Sequence, residues 1–538
     1  MSMVRNSIGL ILNAHMPFVR HPEYPRFLEE DWFFEAIAET YLPLLRMLKK
    51  LRSEQVPYRI TISLSPTICA MFNDPVLQGR FTEYLHLHQE LGERELIRVQ
   101  DQQPEVRHLV QMYLDTLKLN LQEYFEVYEC NLLDGFRDLE ASGHLELITT
   151  AATHAYLPMY ADYPAAINAQ IELAVQSHIN NFKKRPKGFW LPECGYTPGI
   201  EEYLRKEELS FFQLSSQALA LSPDKVERGN YAPIQTPNGV FAFARDFHLT
   251  NLVWSDTEGY PADPVYREFY RDIGYDLPME YIKPYIHSPE VRVFTGYKYY
   301  AITGNGNEKQ YYQPDVAQKR IEEHAENFLY HVRKKGESLQ HKLDRDPFYT
   351  VVFDAELFGH WWYEGVSWLE AIIRKSGQTK DIVFETPLQY IERYPESQEL
   401  RPAASSWGEG GYSHVWANGS NVWMYRHVHK AIERMEELAI RFPDQSSLKQ
   451  RFLAQAAREV LLAMSSDWPF IVHSGNSASY AKSRLIEHIK NFSVVYDNMC
   501  KNAVNTEWLV KAEKRNIVFS DIDYNIFNLQ SDRNRYNG

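Results

Sequence analysis

Cysteine is scarce in this chain: Cys69, Cys130, Cys194 and Cys500 are the only four among 538 residues, and no two form a Cys-x-x-Cys pair. Their scatter argues against a disulfide framework, a thiolate zinc site or a redox dithiol, and leaves the reduced thiols of a cytoplasmic protein as the expectation. Long hydrophobic runs are missing too. No stretch approaches the roughly 20 apolar residues that cross a bilayer. The opening twelve residues run into His15 and Pro17 too soon for a secretory leader, so no membrane partner is expected. Positive charge is in deficit, with 57 Lys and Arg against 71 Asp and Glu and a net charge of −14. That balance disfavours nucleic acid and leaves neutral substrates as natural partners. Internal repeats and low-complexity tracts are also absent.

Aromatics are abundant instead. At 14% of the chain, with 35 Tyr and 11 Trp, they can supply flat apolar faces to sugar rings, although a large α/β core uses them as well. Short apolar segments at 7–13, 58–63, 145–150, 187–190 and 349–353 read as strands, and 29–49 and 164–182 as amphipathic helices. This alternation predicts parallel strands with helical crossovers, hence a barrel with its chemistry at the C-terminal strand ends. A helical pattern at about 77–139 lies between two predicted strands and reads as an inserted subdomain. Beyond 421 the pattern is almost wholly helical, and the Ser/Gly-rich run 403–411 marks the junction. The expected division is a catalytic barrel over 1–400 and a helical domain over 401–538 that contributes to the cleft.

Two carboxylates stand out at predicted strand ends. One is Glu193 in Trp190-Leu191-Pro192-Glu193-Cys194-Gly195-Tyr196; the other is Asp354 in Asp354-Ala355-Glu356-Leu357-Phe358-Gly359-His360-Trp361-Trp362-Tyr363-Glu364-Gly365. A pair of carboxyl groups, one attacking and one donating a proton, is what cleavage or transfer of a sugar bond requires. Burial of Asp354 among Phe353, Phe358 and Trp361 would raise its pKa and suit a general acid. Duller uses remain open: a salt bridge or cap for Glu193, and a helix N-cap for Asp354. His15, on one face of the pleat with Asn13, and His154 follow strands. They suit sugar hydroxyls, a structural hydrogen bond or a metal site lacking a third ligand. Trp407 and Trp416 flank a glycine-rich run and suit either sugar stacking or core anchoring. Asp467 stands ahead of Pro469, where a helix should break and turn the acid toward the cleft.

His15-Met16-Pro17-Phe18, Ala152-Thr153-His154, the stretch from Trp190 to Tyr196, the stretch from Asp354 to Gly365, and that from Ser406 to Trp416 fall in an order that resembles the five motifs of family 57 glycoside hydrolases. The resemblance covers nearly the whole chain and is nearest to the family's 1,4-α-glucan (glycogen) branching enzymes and related α-amylase-like proteins. The segment from Tyr266 to Gly274 and that from Ser465 to Phe470 resemble the branching subgroup in particular. By that resemblance the fold is α/β, an incomplete (β/α)7 barrel with an inserted helical subdomain and a C-terminal α-helical domain. Glu193 matches the nucleophile and Asp354 the acid/base of a retaining mechanism that needs no metal and no cofactor. His15, His154, Gly274, His360, Trp407, Trp416, Asp467 and Trp32 are implied as substrate-binding, with amylose or glycogen as the α-1,4-glucan.

The chain departs from that pattern in three places. It reads Gln213-Leu214-Ser215-Ser216-Gln217 where the family often has Asp and His, and Asp256-Thr257 where an Arg is usual after Trp-Ser. The segment between Glu193 and Trp254 is also shorter than in branching enzymes that carry a mobile loop with a gating tyrosine, Tyr231 being the nearest residue of that type. A shortened lid bears on water exclusion and so on branching against hydrolysis. Branching is the leading expectation. An α-amylase or 4-α-glucanotransferase is the first alternative, a glucan-binding protein with vestigial catalysis the second, and a metal-dependent hydrolase on His15 and His154 the weakest.

Overall fold

The computed structural model describes residues 5–255, 257–287, 290–304, 308–443, 447–503 and 505–529; Asp256 lies outside them. Among the described residues, nine strands form one sheet: β1 (Asn6–Ala14), β2 (Ile60–Leu64), β3 (Leu145–Thr150), β4 (Gly188–Trp190), β5 (Phe211–Leu214), β6 (Ile234–Gln235), β7 (Phe241–Ala244), β8 (Phe348–Asp354) and β9 (Ile382–Phe384). Seven of them, in the order β7-β5-β4-β3-β2-β1-β8, run parallel. An isolated bridge links Arg245, after β7, to Thr350 of β8, where the Asp246 N–H donates to the Thr350 carbonyl (2.8 Å). Short β9 lies beside the start of β1, and β6 pairs antiparallel to β7. This is the barrel that the alternation predicts, in the incomplete (β/α)7 form that the family resemblance implies. Strands β5, β6, β7 and β9 have two to four residues and are not read from the sequence; β4, equally short, is read with the motif that follows it.

That period decides which side chains reach the barrel interior. In β1, Ile8, Leu10 and Leu12 pack outward against helices while Ile11 faces in; in β8, Tyr349, Val351 and Phe353 face out while Phe348 and Val352 face in. The inner core also takes Ile148, Trp190, Phe211 and Phe243. Two glycines make room for the largest rings. A Cβ at Gly9 would lie 2.1 Å from the Phe348 ring, and one at Gly188 would lie 2.3 Å from that of Phe211. The inward register continues upward to Asn13 and Asp354, which are partners across the β1–β8 ladder. Polar groups therefore cap a closely packed apolar floor.

Between β2 and β3 the chain forms the helices Pro75–Gln102, Arg107–Gln122 and Leu133–Ala141. After β9 it is helical through Tyr425–Arg441, Ser447–Ala463, Asp467–Ser474, Ala478–Cys500 and Thr506–Arg515. The segment 29–49 is not one regular helix: Glu30–Ala36 and Leu42–Ser53 flank a π-helical turn, Ile37–Tyr41, which directs Tyr41 inward. Among the described residues no helix is long and apolar enough to cross a membrane.

Candidate active site

Glu193 is presented by a strained turn. Just past β4, Pro192–Cys194 forms a single 3-10 turn in which Glu193 (φ 62°) and Cys194 (φ 49°) both adopt the left-handed backbone, as does His154 (φ 53°). Side chains rarely tolerate that region, and it persists only where surrounding contacts impose it. The contacts are evident. Tyr196 and Ser405 exchange backbone hydrogen bonds (2.8 and 3.1 Å), and the Trp407 N–H donates to the Glu193 carbonyl (2.9 Å). Beneath the turn, Gln213 staples β5 to β4: its amide nitrogen donates to the Phe189 carbonyl (2.9 Å) and its oxygen accepts from the Leu191 N–H (3.0 Å).

The Glu193 carboxylate receives two donors. Trp407 Nε1 donates to Oε2 (2.7 Å) and Ser466 Oγ to Oε1 (3.2 Å). Asp354 receives one, from Asn13 Nδ2 at 3.4 Å, and makes no helix-cap bond. The same Asn13 nitrogen donates to His154 Nε2 (3.3 Å), while His154 Nδ1 lies 2.9 Å from Ser466 Oγ. Burial, with His15 second, holds the His154 pKa well below the usual imidazole value, so the ring is neutral. With Nε2 accepting, its single proton sits on Nδ1 and points at Ser466, whose hydroxyl is then free to donate to Glu193. A directed chain thus joins the two carboxyl groups. His15 stacks on His154 (3.8 Å, 9° between planes) and its Nε2 meets Asp467 Oδ2 at 3.1 Å.

Burial and like charge set the proton inventory. Glu193 is pushed up to about 8, chiefly by burial and next by Asp354; Asp354 is pushed up to about 6 by burial. Together the pair shares about one proton at neutral pH. The cause at Asp354 is not the aromatic wrapping read from the sequence. Phe353 faces outward, as the strand period demands, Phe358 joins that outer core, and Trp361 is 62% exposed. A third carboxyl adjoins the pair: Glu356 accepts from the Tyr41 hydroxyl and the His15 N–H and is raised to about 8 by burial and by Asp354.

Of the residues expected to bind substrate, His15, His154, Trp407 and Asp467 gather around Glu193 and Asp354. Trp416 does not fit a sugar platform: it is 2% exposed, its face covered by Tyr156 (4.9 Å, 16°). Gly274 is corrected likewise. It is buried, its N–H donates to Asp272 (2.8 Å), its carbonyl accepts from Arg292 (2.6 Å), and its role is close packing, since a Cβ there would lie 2.0 Å from the Val293 carbonyl. His360 is bonded to Glu39 (2.6 Å), and half-buried Trp32 stands edge-on to Tyr480 (5.7 Å). Asp467 begins a helix with Pro469 in its first turn, where proline is tolerated; the break falls before the acid, not at the proline. Sequence reading missed Ser466, Glu356, Tyr41 and Trp254. Trp254, 44% exposed, lies against Trp407 (5.9 Å, 26°). Glu356 and Ser466 lie inside motif segments and Trp254 in the Trp-Ser pair, so each carried a local signal; Tyr41 carried none.

Replacing the indole donor has a defined expected cost. Trp407→Phe keeps a ring against Trp190 but removes one hydrogen bond to a carboxylate, worth about 1.5–3 kcal/mol, so kcat/KM on amylose should fall about 10- to 100-fold. An unchanged rate would mean that this bond does not tune Glu193.

Comparison with known proteins adds to this geometry. The sequence profile of glycosyl hydrolase family 57 matches residues 9–338. That of the C-terminal region of 1,4-alpha-glucan branching enzymes matches residues 427–527. A 1,4-alpha-glucan branching enzyme of Thermococcus kodakarensis is 30% identical over 94% of this chain and 76% of its own length. Among solved structures, the alpha-amylase AmyC of Thermotoga maritima superposes with a TM-score of 0.91 at 39% identity, covering 97% of this chain and 99% of that one. A GH57-type branching enzyme of Pyrococcus horikoshii superposes with a TM-score of 0.87 at 29% identity, over 98% and 97% of the two chains.

Proposed function

From a chain that belongs to glycosyl hydrolase family 57, we propose a retaining α-glucan enzyme whose leading activity is 1,4-α-glucan branching. Glu193 is the nucleophile, Asp354 the acid/base, and the setting is cytoplasmic glycogen synthesis. The observation that carries the assignment of roles is the asymmetry of donors. Two charge-stabilising donors, Trp407 and Ser466, meet Glu193, and only one long contact from Asn13 meets Asp354. A glycosidic oxygen seated at Asp354 accepts a hydrogen bond only from the protonated acid. Substrate binding therefore draws the shared proton there, while the two donors hold Glu193 as the anion.

Glu193 then attacks the anomeric carbon as Asp354 gives its proton to the departing oxygen; the C–O bond breaks and a glycosyl ester forms. Asp354, now ionised, takes the proton of the incoming hydroxyl as that oxygen displaces Glu193. A glucan 6-hydroxyl yields an α-1,6 branch, and water yields a shortened chain.

Hydrolysis is the second reading, favoured by one observation. Tyr231 does not overhang the cleft: its carbonyl accepts from the N–H of Phe348 (2.8 Å), the first residue of β8, and Asp354 is the last. The gating tyrosine of a branching-type lid is not supplied by this residue, and the likeness to an α-amylase points the same way. The deciding experiment is incubation with amylose while α-1,6 linkages and reducing ends are followed together. Branches with few new ends support transfer. Ends without branches move the assignment to amylase, and neither product, with amylose still bound, leaves a binding protein.

A further inference from the structure

Beyond the cleft, on its Asp354 side, lies an exposed aromatic ledge that the catalytic network does not use. Tyr270 is 75% exposed and Trp361 62%, yet both belong to a fixed cluster around Phe269, whose ring centre lies 5.1 Å from that of Tyr270 and 6.4 Å from that of Trp361. Two anchors hold the ledge still. The Trp361 N–H donates to the carbonyl of Glu356 (3.2 Å), two residues past Asp354, and the Arg267 N–H donates to Glu364 (2.9 Å). Lys298 sits over the Phe269 ring (4.5 Å), and His360, bonded to Glu39 (2.6 Å), meets the same ring edge-on (5.4 Å). Large rings held rigid but left in water forgo their burial energy and mark a ligand surface. Rings bordered by fixed polar groups suit a neutral sugar: the faces take its C–H surface and the edges its hydroxyls.

Position decides which sugar. In a retaining mechanism the acid/base stands on the side from which the leaving group departs, and the acceptor enters by that same side. The ledge is tied by hydrogen bond to the turn that follows Asp354. We propose that Tyr270, Phe269 and Trp361 bind the acceptor α-1,4-glucan in the second half-reaction, biasing the glycosyl-enzyme toward transfer where the short lid does little to exclude water. This rests on the retaining, transferring reading above.

The test uses the full chain with α-maltosyl fluoride as donor and maltoheptaose as acceptor, comparing transfer product with free maltose as acceptor is raised. Trp361→Ala and Tyr270→Ala should each lower the transfer ratio at sub-saturating acceptor about tenfold, a stacking contribution of about 1.4 kcal/mol. Trp361→Phe should restore most of the loss. Tyr330→Ala, on the helix Pro314–Leu339 and 52% exposed, with its ring against His331 and Lys334 rather than the Phe269 cluster, is the control expected to leave the ratio alone. Ratios unchanged in both ledge variants would overturn the proposal. If the wild type releases fluoride but forms no transfer product at any acceptor concentration, the branching reading fails separately. Maltoheptaose affinity, measured in the Glu193→Gln background with and without Trp361→Ala, then decides the ledge: about tenfold weaker binding supports it as a glucan surface, and equal binding sinks it.

Discussion

Glu193→Gln should lower kcat/KM on amylose by at least ~10^4-fold, because an amide cannot form the glycosyl ester proposed for this carboxylate. The same change should make the protein harder to melt at alkaline pH. Burial and the nearby Asp354 raise Glu193 from 4.5 to about 8 in the folded chain. Between those values the unfolded chain ionises this group while the folded one keeps it protonated. Stability associated with it is therefore full below about pH 4.5, falls as pH rises, and is at its lowest above about 8. A neutral glutamine abolishes that loss. Calorimetry should show the variant melting above the wild type at pH 8, with the gap closing toward pH 4.5. A variant melting below the wild type at pH 8 would mean that the carboxylate stabilises the fold, contrary to the burial argument. Chemistry offers a second check: Glu193→Gly with azide and an α-glycosyl fluoride should give the β-glycosyl azide, since azide then attacks from the vacated face.

Asp354→Asn should depend steeply on the leaving group. On amylose, whose departing oxygen needs a proton, the loss should be about 10^2- to 10^4-fold. On an α-glycosyl fluoride, whose fluoride leaves unaided, ester formation should survive to within roughly tenfold and the intermediate should accumulate for want of a base. Azide needs no base and should restore turnover, giving the α-glycosyl azide. The wild-type pH profile should be a bell with limbs near 6 and 8, the macroscopic values of the pair. In Asp354→Asn acting on the fluoride, the alkaline limb should vanish, because only ionised Glu193 is then required. A variant that loses both substrates equally would remove Asp354 from the acid/base role.

Much of this molecule is legible in its sequence because the relevant physics is local. The short apolar runs that form β1 and β8 are local signals, although both strands are buried on both faces and only the fold sets Asp354 on the face opposite Phe353. Glu193 stood out because a carboxylate between proline and Cys-Gly suits neither a strand nor a helix. The same locality explains the misreadings. Trp416 has the composition of a platform, but Tyr156, 260 positions earlier, covers its face. Gly274 lies in a family-like segment, yet the Val293 carbonyl decides that it serves packing.

Sequence alone determined the barrel class, the helical C-terminal run, the family resemblance and the two carboxyl groups singled out for chemistry, each encoded in residues a few positions apart. Tertiary structure decided what those groups can do. The Trp407 and Ser466 donors at Glu193 come from 214 and 273 residues downstream, and the Asn13 amide reaches Asp354 across 341. It also carried Tyr231 to the far end of β8 and tied Trp361 to the turn that follows Asp354. Charge stabilisation and water exclusion depend on distances through space, and only folding sets those distances.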